Sequence, residues 1–279
     1  ITMFSFLSIL YFLQTTNIPD SKLNMVFRDY TKNYNKNYSQ IEYNYRRKIF
    51  GENYNYILKK NNEINYTLGL NNFTDYSRSE FNNIYLSGLI THKQHNHNSH
   101  YHHTHKHNFL YHNSSNSSIP SSIDWRAAGI VTNVKDQGQC GSCWAFSTTG
   151  TLEGQHALKS GNLVSLSEQN LVDCSLQIYG GTCGWPSIAM EYIKTNGVDS
   201  ESTYSYVGYD ESCQYNRSNV ASFLNQIVLI PSNNMTALYD AIGNIGPISI
   251  AIDAEDDFQF YNSGIYTSSI CNSGPYNLN

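Results

Sequence analysis

The chain has 279 residues, 40% of them hydrophobic and 14% charged, with six Cys and a formal net charge of −5. That length supplies one medium domain with a sizeable accessory segment, or two small domains. The ordinary apolar fraction and unremarkable Gly and Pro content exclude collagen, coiled-coil and wholly disordered classes, and the composition gives no reason to expect a nucleic-acid partner. Charge is split along the chain: residues 1–118 carry 12 Lys and Arg against 7 Asp and Glu, and residues 119–279 carry 5 against 15. Nine of the ten His fall between His92 and His112, leaving only His156 elsewhere.

Phe4–Leu13 is an apolar run too short to span a bilayer and placed where a signal-peptide core would be, so residues 1–17 are expected to be a secretory signal. No other stretch is long and apolar enough to be a membrane anchor. Sequons at Asn37, Asn65, Asn113, Asn116, Asn216 and Asn234 fit a secretory route. In residues 41–61, Glu42, Arg46, Phe50, Asn53, Ile57 and Asn61 recur at steps of three and four, which keeps them on one helical face and places Glu42 and Arg46 for an i,i+4 pair. A short extended segment and a turn follow, containing Gly69, Asn71, Phe73 and Asp75.

Between residues 91 and 118 the composition collapses to His, Asn and Ser, which cannot build a packed core; a linker and a domain boundary are expected there. A metal-binding role for the tract competes with that of a low-complexity spacer, and the spacer is preferred because no fixed ligand geometry is implied. Past Ile119 the texture is globular. Ser142 is placed to cap a helix from about Cys143 to Lys159, with Gly161 as its stop, and a second helix near 186–195 ends at Asn196-Gly197. Strands are expected in 223–230, 247–254 and 264–267, with a short helix near Met235–Gly243 between the first two. Helices first and strands later indicate an α+β fold.

The chemistry concentrates in Gln137-Gly138-Gln139-Cys140-Gly141-Ser142-Cys143-Trp144. A Cys in the first turn of a helix sits where backbone N–H groups and the helix dipole favour a thiolate, the form that acts as nucleophile. The Gln137 amide is placed to join the Cys143 N–H in binding an oxyanion. Taken alone, the Cys140-x-x-Cys143 spacing also allows a disulfide, a redox pair or a zinc site.

This segment resembles the active-site signature of papain-family cysteine proteinases, and the upstream motifs resemble the cathepsin L-like branch. Glu42/Arg46/Phe50/Asn53/Ile57/Asn61 matches the family's E-R-F-N-I-N propeptide helix, and Gly69/Asn71/Phe73/Asp75 matches its G-N-F-D motif. The resemblance implies a two-domain papain-like fold, helical domain plus β-barrel domain, behind a helical inhibitory propeptide. Residues 18–90 would be the propeptide, 91–118 the linker and 119–279 the peptidase domain. It implies Cys143 as nucleophile, Gln137 in the oxyanion hole, bridges Cys140–Cys183 and Cys174–Cys213, and Cys271 as half of a third. Such bridges require a secretory or lysosomal compartment. Trp185, Pro186 and Ala251 resemble walls of a substrate pocket, and Gly184 the backbone shelf beside it, although Cys183-Gly184-Trp185-Pro186 departs from the usual Cys-Asn-Gly-Gly. No metal or organic cofactor is implied. The expected partners are polypeptide substrates and the chain's own propeptide, on a monomer.

Cys chemistry of this kind needs a His as base and acid. His156 lies thirteen residues along the helix from Cys143, ~20 Å away at 1.5 Å per residue, and is expected to be a surface residue rather than the base. By the resemblance the catalytic His follows the region of Gly264-Ile265-Tyr266 and Cys271, and the sequence stops at Asn279 before reaching it. Two readings result: a C-terminally truncated form of a working endopeptidase zymogen, or a non-catalytic product such as a propeptide-type inhibitor. In either case the chain as written is expected not to turn over substrate. The opposite charges of its two parts suggest a propeptide that docks near neutral pH and is released by acid.

Overall fold

A computed structural model describes residues 18–86, 110–112, 118–179, 184–252 and 254–268. The expected signal segment, most of the His-rich linker, sequons Asn113 and Asn116, and Cys183 and Cys271 lie outside the described residues. Along the chain run α1 (Asp20–Asn33), α2 (Gln40–Lys60), β1 (Thr67–Leu68), α3 (Arg78–Phe81), β2 (Leu110–Tyr111), α4 (Cys143–Ser160), α5 (Glu168–Tyr179), α6 (Pro186–Asn196), β3 (Val198–Asp199), β4 (Val220–Ser222), β5 (Val228–Leu229), α7 (Met235–Asp240) and β6 (Tyr261–Ser263). They divide into two compact units, one of residues 1–79 and 254–271, the other of residues 80–253 and 272–279. The division does not follow residue 118, because 254–268 packs with the first unit.

In the first unit α1 buries Leu23, Phe27 and Tyr30, spaced four and three apart, against Phe50 of α2. Ser39 caps α2 by accepting from the Glu42 N–H at 3.3 Å, and Glu42 pairs with Arg46 at 3.6 Å. The expected face of α2 forms, and its polar members serve a specific purpose: they satisfy the backbone of the irregular segment 67–76. Arg46 donates to the Asp75 carbonyl (3.1 Å), Asn53 to the Thr74 and Tyr76 carbonyls (2.8 and 2.9 Å), and Asn61 both donates to and accepts from the Leu68 backbone (2.9 and 2.8 Å). Phe50 and Ile57 fill the apolar gaps between them. The Asp75 carboxylate accepts from the Tyr30 and Tyr38 hydroxyls and lies 3.3 Å from the Lys36 ammonium. Burial, with Asp75 adding to it, raises the Tyr30 phenol well above its ordinary value.

Residues 254–268 complete this unit. β6 pairs antiparallel with β1, the Gly69 N–H donates to the Phe260 carbonyl (2.9 Å), and Asn71 donates to the Gln259 carbonyl (2.8 Å). Gln259 returns bonds to the Phe73 and Tyr76 carbonyls, both 3.0 Å, and Arg78 pairs with Asp256 at 3.0 Å. Asp257 accepts from both the Tyr66 and the Tyr266 hydroxyls.

The second unit is built on α4, α5 and α6, whose facing sides bury Trp144, Leu152, Leu171, Ala189, Tyr192 and Ile193 in one core. Gly161 ends α4 with φ 76° and Gly197 ends α6 with φ 83°, conformations that glycine adopts without strain. The bridge Cys174–Cys213 is formed.

The strand region departs from expectation. Only Val228–Leu229 of 223–230 is strand, and it pairs in parallel with Leu110–Tyr111 from the segment expected to be featureless linker. The described residues of 247–254 and of 264–267 form no strand. A strand needs a partner to satisfy its backbone, and alternating apolar residues alone do not supply one. The helix after Met235 stops at Asp240 and continues as a π-turn through Ile245.

Candidate active site

Cys143 opens α4, and the turn before it is wrapped around one carbonyl. Asp136 Oδ1 accepts the Gly138 N–H (2.9 Å), and Gly138 takes φ 58° to reverse the chain. The Cys140 carbonyl then accepts the Ser142 N–H and the Gln137 side-chain amide, both at 2.8 Å. A Gln amide has two N–H donors, so this bond orients the group and leaves its second N–H for a ligand. Gln137 and Cys143 are both half-buried.

The structure corrects the expected role of Ser142. Its side chain makes no capping bond to α4; its hydroxyl lies 2.6 Å from the Tyr206 hydroxyl. Tyr206 also donates to the Gln137 carbonyl at 2.8 Å, and its ring meets Phe146 edge-on with centroids 4.9 Å apart. Giving up an N-cap costs about 1 kcal/mol. It also keeps the serine oxygen from occupying the N–H groups of the first turn, the ones that can receive a negative charge. Sequence reasoning missed Tyr206 because its partners lie 64 and 69 positions away in the chain.

Beside α4, Lys135 stands between two buried carboxylates, 2.8 Å from Glu153 and 2.6 Å from Glu168. Thr132 and the Leu166 N–H also bond Glu153, and Thr149 bonds Glu168. Burial raises the Glu168 carboxyl above its ordinary range even with Lys135 and Thr149 opposing the shift. Burial alone would lower the Lys135 ammonium, yet its bonds to Glu153 and Glu168 outweigh that and raise it.

The remaining expected site residues separate. Gly184 presses its backbone on the Trp144 indole so closely that a Cβ would lie 2.1 Å from the ring, so no larger residue fits there. Trp185 and Pro186 start α6, where the Pro186 carbonyl faces the Thr148 hydroxyl at 3.4 Å. Ala251 lies on the irregular segment after Pro247, which Ser249 ties to Ser147 of α4 at 2.6 Å. Cys140 is a free thiol among the described residues, and Cys183, its expected partner, lies outside them.

His156 is half-buried rather than at the surface, with Nδ1 3.1 Å from the Ser222 hydroxyl. His112, the other described histidine, sits 2.9 Å from the buried Asp240 carboxylate. Each is committed to a partner other than Cys143. Among the described residues no group of His, Cys, Asp and Glu could hold a metal ion, and no helix is long and apolar enough to cross a membrane.

Comparison with known proteins supports the resemblance. Residues 119–279 match the papain family cysteine protease model, and residues 27–81 match the cathepsin propeptide inhibitor domain. The chain is 40% identical over 255 residues to cathepsin L of Sarcophaga peregrina, covering 87% of this chain and 73% of that protein. It is 42% identical over 239 residues to digestive cysteine proteinase 2 of Homarus americanus, covering 82% and 71%. Among solved structures, digestive procathepsin L 3 of Tenebrio molitor larval midgut superposes with a TM-score of 0.78 at 35% identity, covering 92% of this chain and 82% of that one. Two separate matches in the order propeptide then protease, on the papain fold with a helical propeptide, carry the conclusion: the chain belongs to the papain family of cysteine proteases and has a cathepsin-type propeptide inhibitor domain ahead of its protease domain.

Proposed function

We propose that the chain is the precursor of a cysteine endopeptidase in which Cys143 is the nucleophile and Gln137 an oxyanion donor. The observation that carries this reading is the entrance to α4: Cys143 at the first position, Ser142 turned away from capping, and the Gln137 amide oriented by the Cys140 carbonyl. Cys143 Sγ attacks the peptide carbonyl carbon. The carbonyl oxygen takes up negative charge facing the Gln137 amide and the Cys143 N–H; collapse breaks the C–N bond, releases the amine and leaves a thioester that water hydrolyses. The proton for the leaving amine requires an acid–base group within about 3 Å. Neither His112 nor His156 serves, so the described residues alone do not complete that step.

Gly184, Trp185, Pro186 and Ala251 are proposed as the wall for an apolar side chain preceding the scissile residue. The bridge Cys140–Cys183, a signal over residues 1–17, sequon occupancy and a secretory or lysosomal destination belong to the same reading. Residues 18–90 would inhibit, and acid would release them: residues 1–118 carry 12 basic against 7 acidic groups and 119–279 carry 5 against 15, and carboxylates as a class take up protons as the pH falls toward 4. A second reading, a propeptide-type inhibitor without turnover, draws on the commitment of both described histidines elsewhere.

An assay with a fluorogenic peptide carrying an apolar residue before the scissile one separates the two. After incubation at pH 4.5, the zymogen reading expects hydrolysis, abolished by Cys143→Ala, from a form of the protein that includes an acid–base histidine. If every such form stays silent while the chain inhibits a related protease at nanomolar concentration, the inhibitor reading replaces it.

A further inference from the structure

The Tyr206 side chain touches both ends of the turn carrying the proposed oxyanion donor. At one end its hydroxyl donates to the Gln137 carbonyl at 2.8 Å; at the other it lies 2.6 Å from the hydroxyl of Ser142, the residue before Cys143. A phenol has a single proton. Because that proton is given to the Gln137 carbonyl, the Ser142 hydroxyl must be the donor to the Tyr206 oxygen. The order is therefore Ser142 O–H to Tyr206 O–H to Gln137 C=O, a directed chain that consumes the Ser142 proton and points its oxygen away from α4. The Tyr206 N–H is held by the Glu201 carboxylate at 2.9 Å, and the ring is seated on Phe146. Burial, assisted by the nearby Cys140 and opposed by the Ser142 bond, keeps the phenol protonated far beyond neutral pH.

We propose that Tyr206 is a positioning residue for catalysis, holding the Gln137 amide and the Cys143 end of α4 in register so that their N–H groups converge on one oxyanion. The inference rests on the reading of Cys143 as nucleophile and Gln137 as oxyanion donor. Convergent donors stabilise developing charge only while their spacing is kept, and a turn held solely by its own bonds would let them drift. Without the phenol oxygen the Ser142 hydroxyl keeps only its 3.5 Å contact with the Cys140 carbonyl, and its oxygen is free to turn to the ordinary N-cap, where it would occupy the donors that the thiolate and oxyanion need.

The test is Tyr206→Phe in the full chain, which removes the oxygen and keeps the ring on Phe146. Alkylation of Cys143 by iodoacetate and by neutral iodoacetamide is followed against pH, with peptide mass spectrometry separating Cys143 from Cys140. Tyr204→Phe is the matched control, since it removes a buried tyrosine hydroxyl bonded to Asp173 at 2.7 Å outside the turn. The expected result is a rate at pH 6 lowered about fivefold and a reactivity midpoint moved to higher pH in Tyr206→Phe, the size of one hydrogen bond. Tyr204→Phe should lose comparable melting temperature and keep the wild-type profile. Ser142→Ala, which cuts the chain at its other end, should shift the midpoint in the same direction by less. A Tyr206→Phe profile that superimposes on wild type overturns the inference, as does an equal loss in both tyrosine variants, which would mark a structural role only. If wild-type Cys143 itself reacts no faster than glutathione, the nucleophile reading fails and the inference falls with it.

Discussion

Residues 143–197 and residues 218–252 belong to the same compact unit but are held in different ways. The first stretch is three helices that close their own backbone bonds, share a core around Trp144, Leu171 and Tyr192, and supply Glu153 of α4 and Glu168 of α5 to Lys135. The second has strands of two or three residues, a six-residue helix and apolar side chains left in solvent: Phe223 is 53% exposed, Val228 48%, Ile250 58% and Ile252 46%. The difference is one of backbone accounting. A helix satisfies its own N–H and C=O groups and needs neighbours only for its apolar face, whereas a strand depends on a second segment for every bond. The proposed nucleophile, Cys143, opens the helical side.

The sharpest way to break this comparison is Lys135→Met beside Ile250→Thr. Removing the ammonium leaves Glu153 and Glu168 facing each other in a site where both are 1% exposed. A loss of about 3–5 kcal/mol is expected, the usual result of stranding a buried charge, whereas Ile250→Thr at an exposed position should stay within about 0.5 kcal/mol. Urea titration followed by circular dichroism reads both. Similar losses at the two positions would mean that 247–252 is packed far more tightly than its exposure shows.

The same backbone accounting explains which parts of the molecule could be read in the sequence. The spacing in 41–61 and the Gly161 and Gly197 stops are local signals, and α2, α4 and α6 form within a residue or two of where those signals place them. What the α2 face does is a non-local matter: Asn53 and Asn61 are there for the carbonyls of Thr74 and Leu68, which periodicity cannot show. Ser142 carries a sound capping signal that is overruled by a phenol 64 residues away. Residues 247–254 carry a sound strand signal and remain irregular where described, since alternation specifies a face and not a partner. Conversely, Leu110–Tyr111 becomes a strand inside a tract whose composition argues against one, because the open edge of Val228–Leu229 accepts it. The motifs around Gln137 and Cys143 and those of the propeptide are legible because each is a short segment; Tyr206, which bonds to Gln137 and Ser142 from far along the chain, is not.

Cys213→Ser probes how far the helical region depends on its covalent tie. The bridge to Cys174 closes a loop with a sequence separation of 39 and pins the chain after Tyr204 to α5. Its removal is expected to lower stability by about 2–4 kcal/mol. The tie acts on the segment that carries Tyr206, so hydrogen exchange should also rise across 204–215 while α4 stays protected. Uniform loss of protection through α4 would show that the bridge supports the whole helical core.

The smallest expected effect has the opposite sign. Asp199 in β3 is 1% exposed, its N–H is held by Asn170 at 3.2 Å, and neither carboxylate oxygen has a hydrogen-bond partner among the described residues. Burial raises its carboxyl above the ordinary 3.8, with a backbone contact from Asn216 opposing the shift. A raised folded value means that the native state keeps the proton after the unfolded chain has lost it, so stability falls as the pH rises from about 3.8 through the folded value. Asp199→Asn removes the charge and keeps the shape. It should be more stable than wild type at pH 7 by about 1 kcal/mol, the order of one unmet polar group. The advantage should shrink as the pH is lowered toward 3.8, where the unfolded chain begins to take up the proton that the folded state already holds. Melting curves of the two proteins at pH 4, 5.5 and 7 decide it, and a variant less stable at pH 7 would show that the charged carboxylate is held by a favourable interaction instead.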